Sequence, residues 1–261
     1  MRRVTVLLAG GVSRRMGAVK WKLPVGGVPV LGRIVRALAG FGGELMIVLP
    51  WDADASLCAE AAEIAAAALR GAGSGDGDAG TGSGGRGGIG EGRYAGGGRG
   101  AGCGGADRPR VRILTDAEPY AGPPAGLETA FRAILADGPA WCLAAAADMP
   151  FVRPDLAEAL LAACREADAQ AAAPEQGGKL HPLFAVYRAD AQAAEQLAAY
   201  RAGGGRKAGE WLASLRHVRL GEERVARLDP AGTALFNMNT PEDYRRAMRI
   251  AEGDAPEAAG V

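Results

Sequence analysis

Two kinds of apolar pattern alternate along the first 70 residues. Residues 4–8 and 45–49 form almost continuous apolar runs of strand length, which is typical of parallel strands buried on both faces. Residues 29–38 instead place apolar side chains at i, i+3 and i+4 spacing, which indicates a helix packed on one side, and residues 54–70 form an alanine-rich helix. This order of strand, helix, strand and helix predicts the start of a parallel α/β sheet.

The same alternation continues after residue 110. Residues 111–114 are predicted to resume the sheet, residues 127–136 to form a helix, and residues 141–147, the most apolar run, to form a central strand. Further strands are predicted at residues 169–173, 184–187 and 225–228, and further helices at residues 154–165, 189–201, 207–215 and 241–251. Thr240 and Asp243 form a capping-box-like start for the last helix. We expect an α/β fold with a mostly parallel sheet and helices on both faces.

A long segment of different composition interrupts this pattern. Nineteen of the residues 71–107 are glycine, and almost none are apolar. Such a segment buries too little surface to offset the entropy of ordering, so we expect a disordered insertion whose deletion leaves activity nearly unchanged. Its single aromatic side chain, Tyr94, argues against nucleic-acid binding. The predicted organisation is one domain, residues 1–252, interrupted at 71–107 and followed by a flexible tail, residues 253–261.

Composition argues against several classes of partner. Basic and acidic residues number 30 each, so the net charge is +0 and no global basic field favours nucleic acid or an anionic membrane. The four cysteines are scattered without a Cys-x-x-Cys pair, which is typical of reduced thiols. The N-terminal apolar block is too short for a signal peptide, and no run reaches the roughly 20 apolar residues of a membrane span. We expect a soluble, cytoplasmic protein that binds any anion through a local site.

The loop after the first strand is the strongest candidate for such a site. It carries Gly10, Gly11 and Gly17 with Ser13, Arg14 and Arg15, and it is followed by Lys20 and Lys22, two of the four lysines in the chain. Glycines let backbone N–H groups approach an anion, and fixed cations neutralise its charge. Arg15 is the better candidate for a fixed guanidinium, and either lysine could contact the phosphate or remain solvated. The loop matches neither G-x-x-x-x-G-K-[ST] nor G-x-G-x-x-G, which disfavours P-loop enzymes and dinucleotide oxidoreductases.

Two aspartates follow predicted strands at the same edge of the sheet. Asp116 follows the strand at 111–114 and Asp148 follows the strand at 141–147, where ligands of open α/β folds bind. Each could instead be an ordinary turn or cap residue. Phosphates and carboxylates share a site only when a cation separates them, so the combination predicts Mg²⁺. No Ser/His/Asp or Cys/His arrangement indicates a covalent enzyme intermediate.

Five blocks of the sequence carry a resemblance to a known family. They are 8–17 with Lys20 and 23–29, Asp116 with 122–127, Asp148-Met149-Pro150, His181-Pro182-Leu183, and 236–243. In this order they resemble the molybdenum cofactor guanylyltransferase family, nucleotidyltransferases on a Rossmann-like sheet, over nearly the whole chain. The resemblance implies transfer of GMP from the substrate GTP to the terminal phosphate of molybdopterin, with release of pyrophosphate.

The resemblance also implies roles for individual residues. The backbone of Leu8, Ala9 and Gly10, with Gly11 in the same loop, would hold the nucleotide; Lys20 would hold the triphosphate, Asp116 the guanine or ribose side, and Asp148 the Mg²⁺. Asn237 and Asn239 would hydrogen-bond the pterin side, and Arg206 with Lys207 would meet its phosphate. A molybdoenzyme or a chaperone would accept the product.

The chain departs from the family pattern at two places. Val19 stands where the family usually has aspartate, so Lys20 and Lys22 are rival phosphate contacts. Leu49-Pro50-Trp51 stands where the family often has a polar residue that favours guanine. A cytidylyltransferase of the same cofactor, another small-molecule nucleotidyltransferase and a nucleotide-binding regulatory protein therefore remain alternatives.

Overall fold

The computed structural model describes residues 1–10, 18–71, 109–119 and 121–253. Its strands are β1 (Arg2–Leu8), β2 (Pro24–Val25), β3 (Val28–Pro29), β4 (Glu44–Leu49), β5 (Arg110–Thr115), β6 (Ala140–Ala146), β7 (Ala171–Gln176), β8 (Lys179–Leu180), β9 (Phe184–Ala189) and β10 (His217–Leu220). Its α-helices are α1 (Val30–Leu38), α2 (Ala55–Gly71), α3 (Pro123–Ala136), α4 (Pro154–Glu166), α5 (Ala191–Ala202), α6 (Ala208–Ser214), α7 (Glu222–Leu228) and α8 (Pro241–Glu252). A 3₁₀ helix spans Lys20–Lys22.

The main sheet has the strand order β10-β7-β9-β6-β1-β4-β5, and β8 pairs with β7. Strand β1 is parallel to both β4 and β6, β5 is parallel to β4, and β10 is parallel to β7. Strand β9 runs antiparallel between β6 and β7. The predicted fold class, a mainly parallel α/β sheet, is confirmed.

Helices cover both faces of this sheet, because successive side chains of a strand point to opposite faces. In β1, Leu7 belongs to a buried cluster with residues of α1, α2 and α4. Val6 and Leu8 belong to a second buried cluster with residues of α3, α5 and α6. The nearly continuous apolar run of this strand is therefore explained by burial on both faces, as predicted.

Helix α3 begins earlier than predicted. Its first turn contains Pro123 and Pro124, whereas the sequence pattern placed the start at residue 127. That expectation was wrong because it assigned both prolines to a turn. In the first helical turn the backbone N–H has no intrahelical partner, and the fixed φ of proline suits the helix. The N-terminus of α3 therefore lies directly after Gly122.

The strand predicted at residues 225–228 is also wrong. These residues belong to α7, whose first turn carries Glu222 and Glu223 and whose buried residue is Val225. Acidic residues in the first turn favour a helix through its dipole, a signal that the short apolar pattern concealed. The strand at this point of the chain is β10, which pairs in parallel with β7.

Several predicted regions lie wholly or largely outside the described residues. Helix α2 continues through Gly71, and the predicted insertion otherwise falls in residues 72–108, which are not described. Residues 11–17 of the glycine-rich loop and residues 254–261 of the tail are not described either. The single-domain organisation stays a prediction. In the ranges that are described, no helix is long and apolar enough to cross a membrane.

Candidate active site

The carboxyl ends of four parallel strands lie side by side at one edge of the sheet. Leu8 at the end of β1 is in register with Val48 of β4 and Ala146 of β6. At the other side of β4, Leu49 is in register with Thr115 of β5. The segments that follow these strands therefore begin at the same edge, where an open α/β sheet binds its ligands.

Backbone hydrogen bonds extend the sheet by one residue beyond these strand ends. The Ala9 N–H donates to the Val48 carbonyl at 2.8 Å, and the Leu8 carbonyl accepts from the Ala147 N–H at 3.0 Å. The Asp116 N–H donates to the Leu49 carbonyl at 2.9 Å. The Leu8 carbonyl and the Ala9 N–H, which were expected to hold a nucleotide, are therefore hydrogen-bonded within the sheet. Gly10 is the first residue beyond the sheet, and it is exposed.

Lys20 connects three distant parts of the chain at this edge. Its Nζ lies 2.9 Å from Oδ2 of Asp148 and 2.8 Å from Oδ1 of Asn239. The side chains of Lys20 and Asp148 are each 20% exposed, so the ion pair is partly shielded from water but still accessible to a ligand. Three of the residues singled out from sequence are therefore in direct contact.

Asp148 occupies a fixed turn after β6. Its backbone carbonyl accepts a hydrogen bond from the Met238 N–H at 3.0 Å, which joins this turn to the segment before α8. Its second carboxylate oxygen, Oδ1, is buried and has no hydrogen-bond partner in the described structure. A buried carboxylate oxygen without a partner is unfavourable on its own and is suited to a cation.

Lys22 points to a different part of the fold. Its ammonium pairs with Glu60 on α2 and lies 5.5 Å from the centre of the Trp21 ring. Trp21, the residue between the two lysines, is buried in the core. The lysine side chains on either side of it reach different partners. The family resemblance assigned the triphosphate to Lys20 and left Lys22 as a rival. The pairing of Lys22 with Glu60 could not be predicted, because no local sequence pattern relates the two residues.

The predicted capping box of α8 holds the segment that carries Asn239. The Thr240 hydroxyl accepts from the Asp243 N–H at 3.1 Å, and Oδ2 of Asp243 accepts from the N–H groups of Thr240 and Asn239, each at 2.8 Å. Asn237 behaves differently, because its Nδ2 donates to the Leu235 carbonyl at 3.3 Å within the same segment. The structure thus gives Asn239, rather than Asn237, a contact with Lys20.

Asp116 is half-buried at the end of β5. Its Oδ1 accepts hydrogen bonds from the Ala117 N–H and the Thr129 hydroxyl, each at 3.2 Å. Burial raises the pKa of this carboxyl above its usual value, and the hydrogen bonds from Thr129 and Ala117 oppose the shift. Perturbed carboxyls of this kind are concentrated at functional sites, although structural ones also exist.

Glycines of α3 and its N-cap allow the helix to approach these strand ends. A Cβ on Gly126 would lie 3.0 Å from Leu8 Cδ2, which is tighter than an ordinary contact. Gly122 has φ +79°, and a Cβ there would lie 2.6 Å from the Arg206 carbonyl oxygen. The loop before α6 therefore packs directly against the loop between β5 and α3.

Arg201 on α5 connects that helix to α3 and to the loop after β5, and sequence reasoning missed it. Its guanidinium pairs with Glu128 on α3 and lies 2.7 Å from Glu118, two residues beyond Asp116. The predicted phosphate contact Lys207 instead pairs with Glu210 at 2.8 Å, which raises the pKa of the lysine. Both partners of Arg201 lie more than 70 residues away from it in the sequence, so no local pattern could indicate these contacts.

Two of the predicted site residues, Gly11 and Arg15, lie outside the described residues. Within the described ranges, no group of three or more His, Cys, Asp or Glu side chains could hold a metal ion by itself. Mg²⁺ is usually held by one or two carboxylates together with substrate phosphates, so the single carboxylate of Asp148 fits that ion.

The structure combines a mainly parallel α/β sheet with a lysine and two aspartates at its carboxyl edge, an arrangement suited to a ligand that carries phosphate. Residues 5–79 and 101–220 match the family model described as the MobA-like NTP transferase domain, so the chain belongs to that family. The predicted family and the predicted kind of enzyme are confirmed.

Individual relatives agree with this assignment. The chain is 33% identical over 144 residues to a probable molybdenum cofactor guanylyltransferase of Pelotomaculum thermopropionicum, an alignment that covers 54% of this chain and 66% of that protein. It is 28% identical over 247 residues to a protein of the same description from Natronomonas pharaonis, covering 94% of this chain and 96% of that one. A solved structure of molybdopterin-guanine dinucleotide biosynthesis protein A from Archaeoglobus fulgidus has a TM-score of 0.64 and 24% identity, covering 96% and 99% of the two chains, and supports the fold.

Proposed function

We propose that this protein transfers GMP from GTP to the terminal phosphate of molybdopterin and releases pyrophosphate. The observation that carries the proposal is the contact of one ammonium, that of Lys20, with both Asp148 and Asn239. It joins the loop after β1, the turn after β6 and the segment before α8. These are the segments that the family resemblance assigns to nucleotide, metal and pterin. Relatives named molybdenum cofactor guanylyltransferase support guanine as the base.

Charge neutralisation is the main task of such a site. The reaction brings the phosphate of the acceptor to the α-phosphorus of a nucleoside triphosphate, so two polyanions must approach each other. Lys20 supplies a positive charge at the carboxyl edge of the sheet, and a bound triphosphate would replace Asp148 as its partner. The freed carboxylate of Asp148 would then hold Mg²⁺, which supplies further positive charge to the phosphate oxygens.

Positioning is the second task, because the acceptor itself provides the nucleophile. Asp116 follows β5 beside the end of β4 and would contact the guanine or ribose side. Asn239 would exchange its contact with Lys20 for a hydrogen bond to the pterin side of the acceptor. Asn237, in the same segment, would also hydrogen-bond the pterin side. Bond formation between the acceptor phosphate and the α-phosphorus breaks the bond to pyrophosphate without a covalent enzyme intermediate.

Lys20, rather than Lys22, is the phosphate contact in this proposal. Lys20 is paired with a carboxylate at the strand ends, whereas Lys22 is paired with Glu60 on a helix. Arg15 and Gly11 in the glycine-rich loop and the backbone of Gly10 would complete the cradle for the phosphates.

Calorimetric titration with GTP, CTP and ATP in the presence of Mg²⁺ tests the nucleotide. We expect GTP to bind most tightly, and the Asp148→Asn variant to lose the part of the affinity that depends on Mg²⁺. Asp168→Asn is a matched control, because the Asp168 side chain is 81% exposed and pairs with Arg188 and Arg216, away from the strand ends. Preferential binding of CTP would show that the base recognised is cytosine and not guanine. Binding of none of the three would contradict the proposal.

A further inference from the structure

A cavity lies beside the turn that carries Asp148. It has a volume of about 530 Å³ and is bounded by α1, by the turn and first residues of α4 at 150–155, and by the segment at 229–233. Three arginines line it, Arg33, Arg36 and Arg153, together with the carboxylates of Asp155 and Asp229. Its size is within the range of small-molecule sites.

Arg33 is held rigidly in the wall of this cavity. Its Nε donates to the Pro150 carbonyl at 3.2 Å, its Nη1 donates to the Val25 carbonyl at 3.1 Å, and its guanidinium lies 5.2 Å from the centre of the Phe151 ring. Burial lowers the pKa of Arg33, and the nearby charge of Arg36 lowers it further. Arg33 is partly buried and Arg36 is exposed beside it, and two such neighbouring cations are stabilised by an anion.

Two buried polar atoms of the lining residues have no partner in the described structure. One is the Nε of Arg153, a donor, and the other is Oδ1 of Asp229, an acceptor. Asp229 is only 3% exposed, and its other oxygen accepts from the Ala234 N–H at 2.7 Å. Leaving such groups unpaired is unfavourable, and more so when they are charged. A ligand that satisfies both must offer an acceptor to Arg153 and a donor to Asp229.

We propose that this cavity binds a small phosphate ester that carries hydroxyl groups. The phosphate supplies several acceptor oxygens for the guanidinium of Arg36 and for the unpartnered Nε of Arg153, whose Nη2 already pairs with Asp155 at 3.1 Å. A hydroxyl group of the ester donates to the free oxygen of Asp229. The carbon skeleton packs against Phe151 and the apolar lining. This site is separate from the one at Lys20, although the turn at 148–150 borders both.

Calorimetry on the whole chain with four probes tests which chemical groups the cavity recognises. Glycerol 3-phosphate carries the phosphate and the hydroxyls, inorganic phosphate only the anion, glycerol only the hydroxyls, and glycerate a carboxylate in place of the phosphate. We expect saturable binding that is tightest for glycerol 3-phosphate. Tighter binding of glycerate would overturn the assignment of a phosphate ester, and saturable binding of none of the probes would overturn the site.

Substitutions of the lining residues locate the binding. The Arg36→Gln and Arg153→Gln substitutions should together weaken the binding of glycerol 3-phosphate at least tenfold, since each removes a charged donor. Asp229→Asn should weaken the binding of glycerol 3-phosphate without weakening that of inorganic phosphate, because it removes the acceptor for the hydroxyl group and no positive charge. Arg33 is left intact because it holds two backbone carbonyls. If the buried Asp229 variant fails to fold, the arginine variants still decide the result.

Two control variants separate this cavity from other anion sites. Arg165→Gln removes an exposed arginine from the last turn of α4 and should leave the affinity unchanged. Lys20→Met alters the proposed nucleotide site and should also leave the affinity for glycerol 3-phosphate unchanged. Loss of binding in the Lys20 variant with full binding in the Arg36 and Arg153 variants would place the probe in the nucleotide site and overturn the inference.

Discussion

Replacing Gly122 by alanine perturbs the point where the loop after β5 meets the loop before α6. Gly122 has φ +79° and ψ 174°, a region that is essentially restricted to glycine and costs other residues about 1–3 kcal/mol. The new Cβ would also lie 2.6 Å from the Arg206 carbonyl oxygen, and overpacking of this kind costs about 1–3 kcal/mol. A smaller entropy of the unfolded chain offsets about 0.4–1 kcal/mol. We therefore expect a net destabilisation of about 1–6 kcal/mol.

Urea denaturation of Gly122→Ala tests the close contact, and Gly138→Ala is a control that has a positive φ without the contact. Gly138 also has a positive φ, +92°, but a Cβ there would have no atom within 4 Å. The Gly138 variant should therefore show strain alone, and the Gly122 variant should be less stable by a further amount of about 1–3 kcal/mol. GTP affinity should fall in the Gly122 variant only, because its loop begins at Asp116. Equal destabilisation of the two variants would refute the close packing against Arg206.

Two further predictions concern Asp116 and Trp51. Burial raises the pKa of Asp116 in the fold, so the stability this group contributes is present below its unfolded pKa and is lost as the pH rises through its folded pKa. Asp116→Asn should therefore raise the Tm at neutral pH, with a gain that vanishes in acid; a lower Tm at neutral pH would contradict the reasoning. Trp51 is 47% exposed and follows β4, whereas Trp21, Trp141 and Trp211 are at most 7% exposed. Trp51→Phe should remove most acrylamide-quenchable emission, and Mg²⁺ with GTP should change the emission of the unsubstituted protein but not of this variant; an unchanged response in the variant would contradict a nucleotide beside β4.

The central strands could be predicted from sequence because burial on both faces leaves a local pattern. Residues 4–8 and 141–147 are apolar almost throughout, and the structure places both in the middle of the sheet as β1 and β6. The strand-end positions of Asp116 and Asp148 followed from those predictions. The cap of α8 was predicted for the same reason, since Thr240 and Asp243 are only three residues apart.

Short elements and long-range contacts could not be predicted in this way. Strands β2, β3 and β8 have two residues each, too few for any periodicity, and they form because a partner strand is nearby. The contact of Lys20 with Asn239 spans 219 positions, and the pairing of Lys22 with Glu60 depends on how α2 packs. The pattern could therefore name both lysines as candidates but could not choose between them.

Pyrophosphate release from GTP tests the central claim most directly, when it is measured with Mg²⁺ and molybdopterin on the unsubstituted protein and on the Lys20→Met and Lys22→Met variants. We predict release that requires molybdopterin, falls by at least about 100-fold in the Lys20 variant, and stays within about threefold in the Lys22 variant, whose loss is that of an exposed ion pair. Absence of release from GTP, or a larger loss in the Lys22 variant than in the Lys20 variant, would contradict the account.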